Sequence, residues 1–146
     1  MVALTSEQRA FLESARVGHL GTADGQGQPH VVPVCYTIVG NAAYILIDRK
    51  QKQFDEPTKL KRMINIQTNP RVCLTVDRYD EDWSRLGFVM IRGTAHLLSD
   101  GPEYETALSA LKERYPKYRE QQLGGRPMIS IYIQRLSSWG ELIPRR

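Results

Sequence analysis

Short apolar runs separated by tight-turn signals fill the first third of the chain, and they limit the fold more than any other feature. Three runs stand close together, at 17–23, 29–39 and 42–48. Runs of this length with glycine and asparagine between them are typical of β-hairpins, so we expect three consecutive antiparallel strands. Pro33 lies inside the second run. Because proline cannot donate to a ladder, it predicts an edge, a bulge or a break there.

Helical spacing appears in three other places. Thr5 is placed to cap a short N-terminal helix, with Gln8 three residues later as in a capping box. A second helix is predicted over 58–68 with Thr58 as its cap. A third is predicted over about 102–115, and Pro116 ends or kinks it.

Strand patterns return after the second predicted helix, at 71–79, 85–98 and 128–136. The first of these runs alternates strictly between apolar and polar residues, which indicates a strand with one buried face. Gly93 in the middle run predicts a bulge or a bend.

The predicted order of elements is α-β-β-β-α-β-β-α-β. About six strands, mostly joined as hairpins, predict a mostly β fold with peripheral helices: a small closed or split β-barrel with a largely antiparallel sheet. A doubly wound parallel fold would need helices alternating with strands throughout. No linker or repeat divides the sequence, so we expect a single domain over residues 1–146.

Composition excludes several classes of protein. Of the 146 residues, 41% are apolar and 25% are charged, which is too apolar for a disordered chain. No apolar run reaches the ~18–20 residues of a membrane span, and the N-terminal stretch is charged rather than an apolar leader. The 2 cysteines are too few for a disulfide scaffold. We therefore expect a soluble, cytoplasmic protein with no membrane partner.

The positive charge is concentrated in one segment. Residues 49–62 carry a net charge of +4, which equals the net charge of the whole chain. A basic patch on a neutral body indicates a compact anionic ligand better than a long polyanion, although a solvated loop and helix face would look the same. A nucleic-acid module is disfavoured because Phe54 is the only aromatic residue in the patch.

No familiar set of catalytic side chains is present. The sequence lacks a P-loop, a G-x-S-x-G elbow, a C-x-x-C pair and an H-E-x-x-H motif. Its histidines fall on different predicted strands, so no metal site is expected. Cys35 and Cys73 lie inside predicted strands and are expected to be buried, reduced thiols. The catalytic residues stay unknown, which favours a bound cofactor as the carrier of any chemistry, with non-catalytic binding as the alternative.

Three motifs in order resemble those of the pyridoxamine-5'-phosphate-oxidase-like split barrels. The first is G-x-P-x-x-x-P-V over residues 27–34, after a strand and a glycine turn. The second is a basic helix that runs into N-I-x-x-x-P-R-V over 65–72, and the third is D-E-D-W-S over 80–84. Together they span most of the chain, and the likeness is closest to the branch of the family that uses the deazaflavin coenzyme F420.

The resemblance implies a cofactor site assembled from several segments. The cofactor's phosphate would bind basic residues of the third strand and the following helix, which are Lys50, Lys52, Lys59, Lys61 and Arg62. Arg62 stands where the family often has lysine, and it keeps the charge. The ring would lie beside Val32, Pro33 and Val34, with Asp48 ending the neighbouring strand. The remaining contacts, partly from across a dimer interface, would come from Trp83, Ser84, Arg85 and Trp139.

The implied function is that of a homodimeric oxidoreductase. It would use bound F420 for hydride transfer to or from an unsaturated small-molecule substrate. An FMN-binding oxidase of the same family stays open as an alternative, because the basic patch suits the phosphate of FMN almost as well. A non-catalytic flavin- or deazaflavin-binding protein stays open too, as does plain interface packing of Trp83 and Trp139.

Overall fold

The structure, a computed structural model, describes residues 2–47 and 60–142. The helices in these ranges are α1 (Ser6–Ser14), α2 (Lys61–Thr68), α3 (Pro102–Arg114) and α4 (Pro116–Arg119). The strands are β1 (Gly18–Ala23), β2 (Pro29–Val34), β3 (Thr37–Val39), β4 (Ala42–Leu46), β5 (Arg71–Arg78), β6 (Gly87–Leu98) and β7 (Met128–Gly140). No helix in the described ranges is both long and apolar enough to span a membrane.

All of these strands form one antiparallel sheet in the order β2-β1-β5-β6-β7-β4-β3. β2 and β3 occupy opposite ends of this order, yet only Cys35 and Tyr36 separate them in the chain. The three peptide steps from Val34 to Thr37 span at most about 11 Å, so the sheet must curl until its two edges lie close together. The predicted split-barrel class is thereby confirmed, with a 7-stranded sheet instead of about six strands.

The extra strand arises because the single strand predicted over 29–39 is wrong. The chain leaves β2 at Cys35 and Tyr36, and Tyr36 is fully buried. Its hydroxyl donates to the carbonyl oxygen of Leu12 in α1 at 2.5 Å, which anchors the corner beneath that helix. Pro33 itself stays within β2, at an edge of the sheet where a missing N–H is tolerated.

Apolar residues form two cores on opposite faces of the sheet. The barrel interior is filled by alternate residues of the strands, among them the fully buried Leu20, Leu74 and Ile91. The second core lies between α3 and the outer face of β4 and β7. Because β4 separates the two cores, all of its residues are buried, which explains its unbroken apolar sequence.

Helix α1 closes one end of the barrel. Its predicted capping box is present: the Thr5 hydroxyl accepts from the Gln8 N–H, and the Gln8 side chain accepts from the Thr5 N–H, both at 3.0 Å. The carbonyl groups at the far end of α1 have no helical partner. The Arg114 guanidinium of α3 satisfies three of them, at Leu12, Glu13 and Ala15.

A bulge bends the long antiparallel pair of β6 and β7. The register shifts between Arg92 and Gly93, so that Gln134 on β7 has no partner residue. A Cβ atom on Gly93 would lie 2.0 Å from the carbonyl oxygen of Tyr132, so only glycine fits this position. The bulge predicted at Gly93 is confirmed.

Three predicted boundaries differ from the structure. Helix α2 begins at Lys61 after Leu60, which makes no side-chain cap, while Thr58 lies outside the described residues. The strand predicted from residue 85 begins at Gly87, because Asp82 caps a single 3-10 turn over Trp83–Arg85. The last strand continues to Gly140, since it stays paired with β6 along that length.

Candidate functional site

The N-terminus of α2 carries two cations, and no side chain of the described residues caps it. Leu60 offers no side-chain hydrogen bond to the first turn, and that turn contains no acidic residue. Lys61 and Arg62 are the first two residues of the helix; Lys61 is exposed and Arg62 is half-buried. Backbone N–H groups, the positive end of the helix dipole and two basic side chains together suit an oxyanion such as a phosphate.

One carboxylate lies close to these cations. Asp24, in the turn between β1 and β2, accepts from the backbone N–H groups of Gln28 and Gln26 at 2.9 Å each. These hydrogen bonds, with a smaller contribution from the charge of Lys61, hold the pKa of the Asp24 carboxyl below its usual value. The ionised carboxylate therefore offsets part of the charge of Lys61.

A buried hydrogen bond fixes α2 against the barrel. Asn65 lies one turn after Arg62 and is fully buried, and its Nδ2 donates to Oγ1 of Thr22 in β1 at 3.0 Å. Past the end of the helix, Nδ2 of Asn69 donates to the carbonyl oxygen of Asp24 at 3.3 Å. The two contacts hold the basic first turn of α2 at the end of the barrel where β1 finishes.

Two further polar atoms at this end of the barrel are buried and unpaired within the described residues. They are Oδ1 of Asn65 and Nδ1 of His30, whose residue lies directly opposite Thr22 across the β1–β2 ladder. Buried polar atoms without a partner are uncommon in folded proteins. Their presence below α2 is consistent with a polar ligand or water at this end of the barrel.

The segment Val32–Val34 is only partly available to a ligand. Val34 is buried in the barrel interior and Val32 is half-buried on the same side, because residues two apart share a face of a strand. Pro33 is exposed on the outer face, next to Val31, which is 65% exposed. Of the three predicted residues, Pro33 alone presents its side chain to a molecule outside the barrel.

Two exposed tryptophans lie where β6 begins. Trp83 is 71% exposed, and Trp139 is 56% exposed and stacks on Phe88 with 6.4 Å between ring centroids. Ser84 and Arg85 are engaged within their own turn: the Ser84 hydroxyl donates to Asp82 at 2.7 Å, and Nε of Arg85 lies 3.8 Å from a carboxylate oxygen of Asp80. The two indoles are therefore the surfaces of this region that a planar ring can contact.

Within one chain the two groups of predicted residues lie at opposite ends of β5. The strand starts just after α2 and finishes just before the turn that carries Trp83. Its 8 residues span about 26 Å. Within one chain, a molecule that contacts both Arg62 and Trp83 would have to span about the length of β5.

Several predicted residues fall outside the described ranges or differ from expectation. The cofactor residues that lie outside are Asp48, Lys50, Lys52 and Lys59. Cys35 and Cys73 are free thiols, but both are half-buried, so the expectation of full burial is wrong. Among the described residues, no group of three or more His, Cys, Asp or Glu could hold a metal ion.

One carboxylate accepts hydrogen bonds from two phenols, an arrangement that no sequence pattern predicts. Glu103, in the first turn of α3, accepts from the hydroxyl of Tyr44 at 2.7 Å and from that of Tyr132 at 3.2 Å. Burial, and then the neighbouring carboxylate, raise the pKa of both phenols. A cavity of about 410 Å³ opens beside these rings, lined by Val39, Asn41, Ala42, Tyr44, Tyr132, Ile133 and Gln134. Positions 44, 103 and 132 are too far apart in the chain for any local pattern to link them.

Comparison with known families now defines the class of this protein. Residues 4–140 match the pyridoxamine 5'-phosphate oxidase family, which is nearly the whole chain. The curled antiparallel sheet closed by α1 and α2 agrees with that match. The chain therefore belongs to the pyridoxamine 5'-phosphate oxidase family.

Individual relatives carry different printed names. The chain is 27% identical over 137 residues to a 5a,11a-dehydrotetracycline/5a,11a-dehydrooxytetracycline reductase from Streptomyces rimosus subsp. rimosus, covering 93% of this chain and 82% of the relative. The haem storage protein HutZ from Vibrio cholerae has a TM-score of 0.70 at 14% identity, with 96% of both chains covered. An FAD-binding protein from Mesorhizobium loti has a TM-score of 0.64 at 23% identity, covering 94% of this chain and 95% of that one. At these identities the two structures show a shared fold, which alone does not define a cofactor.

Proposed function

We propose that this protein is a reductase that binds the deazaflavin F420 and transfers hydride between it and an unsaturated small molecule. The observation that carries the proposal is the N-terminus of α2, which receives no side-chain cap from the described residues and carries Lys61 and Arg62, whose donors suit a phosphate-bearing cofactor. The reductase from Streptomyces rimosus, similar along 93% of this chain, supports the reductive chemistry. The motif resemblance to the F420 branch supports a deazaflavin over a flavin.

The first turn of α2 would hold the cofactor's phosphate. The planar Arg62 guanidinium can bind two phosphate oxygens at once, and Lys61 adds a second charge. A hydrogen bond to a charged group contributes roughly 1.5–3 kcal/mol, so the two side chains suffice to favour a phosphorylated ligand over its phosphate-free analogue. Asn65 and Thr22 would act through α2, by fixing the position of its first turn.

A homodimer would complete the site. The outer face of β5 carries Cys73, Thr75 and Asp77, none of them buried, and the α3 core covers only the β4 side of the sheet. A two-fold pairing through this open face would bring the partner's tryptophans towards α2. The separation of Arg62 from Trp83 within one chain supports such a shared site.

The protein's own residues would bind and orient the reactants, while the deazaflavin supplies the hydride when bound. Trp83 and Trp139 offer exposed ring faces against which a planar cofactor or substrate can stack. Pro33 adds a rigid apolar surface on the outer side of β2. Exclusion of water between these groups would strengthen the electrostatic contacts to the reacting rings.

The test begins with protein purified from a host that makes both F420 and FMN. The proposal predicts the absorbance spectrum of a deazaflavin in the purified protein. Under anaerobic conditions, reduced F420 should then be consumed when an α,β-unsaturated ketone is added, and the substrate of the Streptomyces rimosus reductase is a suitable first acceptor. A flavin spectrum would support the FMN alternative, and a haem spectrum would contradict both.

Turnover separates the reductase from a protein that only stores the cofactor. Saturable binding of reduced F420, without oxidation by any member of a panel of enones, would favour the non-catalytic alternative. The measurement is the rate of cofactor oxidation at saturating protein, compared with the rate in buffer alone.

A further inference from the structure

A carboxylate lies where two neighbouring cavities meet. Glu103, in the first turn of α3, lines a cavity of about 250 Å³. Val39 and Tyr44 line both this cavity and the larger one of about 410 Å³. Glu103 also contacts two residues of the larger cavity, since it accepts from the hydroxyl of Tyr44 at 2.7 Å and from that of Tyr132 at 3.2 Å. The two cavities therefore form one site, the Glu103 pocket, lined by Val39, Tyr44, Glu103 and Tyr132.

The charge of Glu103 is not neutralised within the described part of the chain. The ion pairs found there join other residues, and the two groups that donate to Glu103 are phenols. His96 packs its ring on Tyr132, with 5.1 Å between centroids, and forms no ion pair with this carboxylate. Carboxylates withdrawn from water are usually paired with a cation, and Glu103 is half-buried. An ionised carboxylate accepts about four hydrogen bonds, so Glu103 has lone pairs left for a further donor.

The amide side chains of the larger cavity have acceptors to offer, because their donors are already engaged. Nε2 of Gln134 donates to Oγ1 of Thr94 at 2.9 Å, and Nδ2 of Asn41 donates to the carbonyl oxygen of Val2. Oδ1 of Asn41 is buried and has no hydrogen-bond partner among the described residues. Together with the Glu103 carboxylate, these oxygens complement a ligand that brings hydrogen-bond donors and positive charge.

The rest of the pocket is apolar and aromatic. Val39, Ala42 and Ile133 line the larger cavity beside the two tyrosines, and Tyr132 is 43% exposed. A volume of about 410 Å³ lies in the range of small-molecule sites, about 300–1,000 Å³. Tyrosine rings attract a cation placed over their faces, so the aromatic wall adds to the attraction of the carboxylate.

We propose that the Glu103 pocket binds an amphiphilic organic amine. Its protonated amino group would donate to the Glu103 carboxylate, in the position that a lysine or arginine takes in an ordinary ion pair. Its apolar ring would lie in the larger cavity against Tyr132. A charge-assisted hydrogen bond is about twice as strong as a neutral one, so the positive charge would dominate the choice of ligand.

The pocket lies apart from the surface through which the homodimer is proposed to pair. It is next to α3, and β6 separates the nearest strand of its wall, β7, from β5. Its residues belong to β3, β4, β7 and α3, whereas Lys61 and Arg62 lie on α2. Loss of amine binding in a Glu103 variant and loss of F420 binding in an Arg62 variant are therefore separate results.

The test is a titration followed by backbone-amide NMR, with three probes that share one ring system. The probes are 2-naphthylmethylamine, the neutral 2-naphthylmethanol and the anionic 2-naphthoate. The amine should shift the amide signals of Val39, Tyr44 and Tyr132, and it should bind at least tenfold more tightly than the alcohol, because its hydrogen bond to Glu103 is charge-assisted. The carboxylate should bind more weakly than either.

Glu103→Gln removes the charge but keeps a carbonyl oxygen that can accept from the two phenols. Its affinity for the amine should fall at least tenfold, while its affinity for the alcohol should be little changed. Glu105→Gln is the matched control. It removes the same charge from the first turn of α3, and its exposed side chain makes no contact with another described residue, so amine binding should not change.

The Tm of each variant shows whether the fold is intact. Equal binding of amine and alcohol to the wild type, shifts confined to other amides, or unchanged amine affinity in a folded Glu103→Gln variant would overturn the proposal. If Glu103→Gln does not fold, the comparison of amine with alcohol on the wild type decides. Sedimentation at the same protein concentrations completes the test, because an amine affinity that falls as a dimer forms would show that the partner chain covers the pocket, and this too would overturn the proposal.

Discussion

Nδ2 of Asn65 donates to Oγ1 of Thr22 at 3.0 Å, and neither side chain is accessible to more than a trace of solvent. This single bond joins the helix that carries Lys61 and Arg62 to the first strand of the barrel. The bond gives Asn65 a structural role. The position of the basic turn therefore depends on Thr22, which no cofactor needs to contact.

Replacing Thr22 with valine tests this hydrogen bond. The change keeps the shape of the side chain but leaves the buried Asn65 amide without its partner, which should cost about 1–3 kcal/mol of unfolding free energy in urea. FMN should then bind more weakly while riboflavin, which has no phosphate, should be little affected. Thr106→Val on the exposed side of α3 is the matched control, because no hydrogen bond joins its hydroxyl to another described residue. Equal losses for FMN and riboflavin would show that the bond supports the fold alone.

Arg114 links the end of α3 to the end of α1. Its guanidinium donates to the carbonyl oxygens of Leu12, Glu13 and Ala15 and lies 4.9 Å from the centroid of the Tyr36 ring. Arg114→Met should destabilise the protein by about 2–4 kcal/mol, because three carbonyl acceptors, two of them in part-buried hydrogen bonds, lose a charged donor at once. Arg119→Met on α4 is the control in thermal unfolding, because it also removes two guanidinium–carbonyl hydrogen bonds, to Lys112 and Glu113, but both are exposed. A loss below about 0.5 kcal/mol, the usual range for surface changes, would show that water replaces Arg114 at little cost.

Alkaline pH should destabilise the protein through Tyr36. Burial raises the pKa of this phenol above its ordinary value of 10.0, so the unfolded chain releases the proton first. The neutral Tyr36 phenol makes its full contribution to the free energy of unfolding below about pH 10. That contribution is lost as the pH rises towards the raised pKa, at up to about 1.4 kcal/mol per pH unit. Tyr36→Phe should be less stable than wild type at pH 8, because the variant lacks the hydrogen bond to Leu12. The difference in unfolding free energy between the two proteins should become smaller above pH 10. A constant gap in urea unfolding across this range would contradict the assignment.

Local patterns in the sequence predicted the elements that local physics controls. The capping box of Thr5 and Gln8, the alternation of β5 and the bulge at Gly93 each depend on residues close together in the chain, and the structure has all three. The break at Tyr36 was missed because it depends on a contact with α1, 24 residues away.

Contacts between residues far apart in the chain also determine the candidate sites. The cations of α2 were visible as a charge run, but the bond that holds them in place joins residues 43 positions apart. Tyr44, Glu103 and Tyr132 meet only through the pairing of β4 with β7 and the packing of α3 on β4, which no spacing in the sequence reveals. Arg62 and Trp83 are likewise kept apart by β5, which runs from the end of α2 to the turn that carries Trp83.

Mixing two defective variants tests whether the cofactor site is shared between chains. Arg62→Ala and Trp83→Ala should each be weak in F420 binding when pure. If each site takes Arg62 from one chain and Trp83 from the other, exchange of subunits restores one intact site per mixed dimer, or about a quarter of all sites at equal mixing. The measurement is the F420 binding capacity before and after exchange. No recovery in a mixture that sedimentation shows to contain mixed dimers would place both residues in one chain's site or outside it.

Fluorescence titration of wild-type protein and Arg62→Ala with F420, FMN and riboflavin tests most directly whether the first turn of α2 holds the phosphate of a bound cofactor. Lys117→Ala serves as the control for a lost positive charge, and the Tm of each variant shows whether the fold is intact. We expect tight binding of F420 to the wild type and at least tenfold weaker binding of both phosphorylated ligands to Arg62→Ala, with riboflavin binding unchanged, because a hydrogen bond to a charged group contributes roughly 1.5–3 kcal/mol. Unchanged affinity for F420 and FMN in a folded Arg62→Ala variant would contradict it.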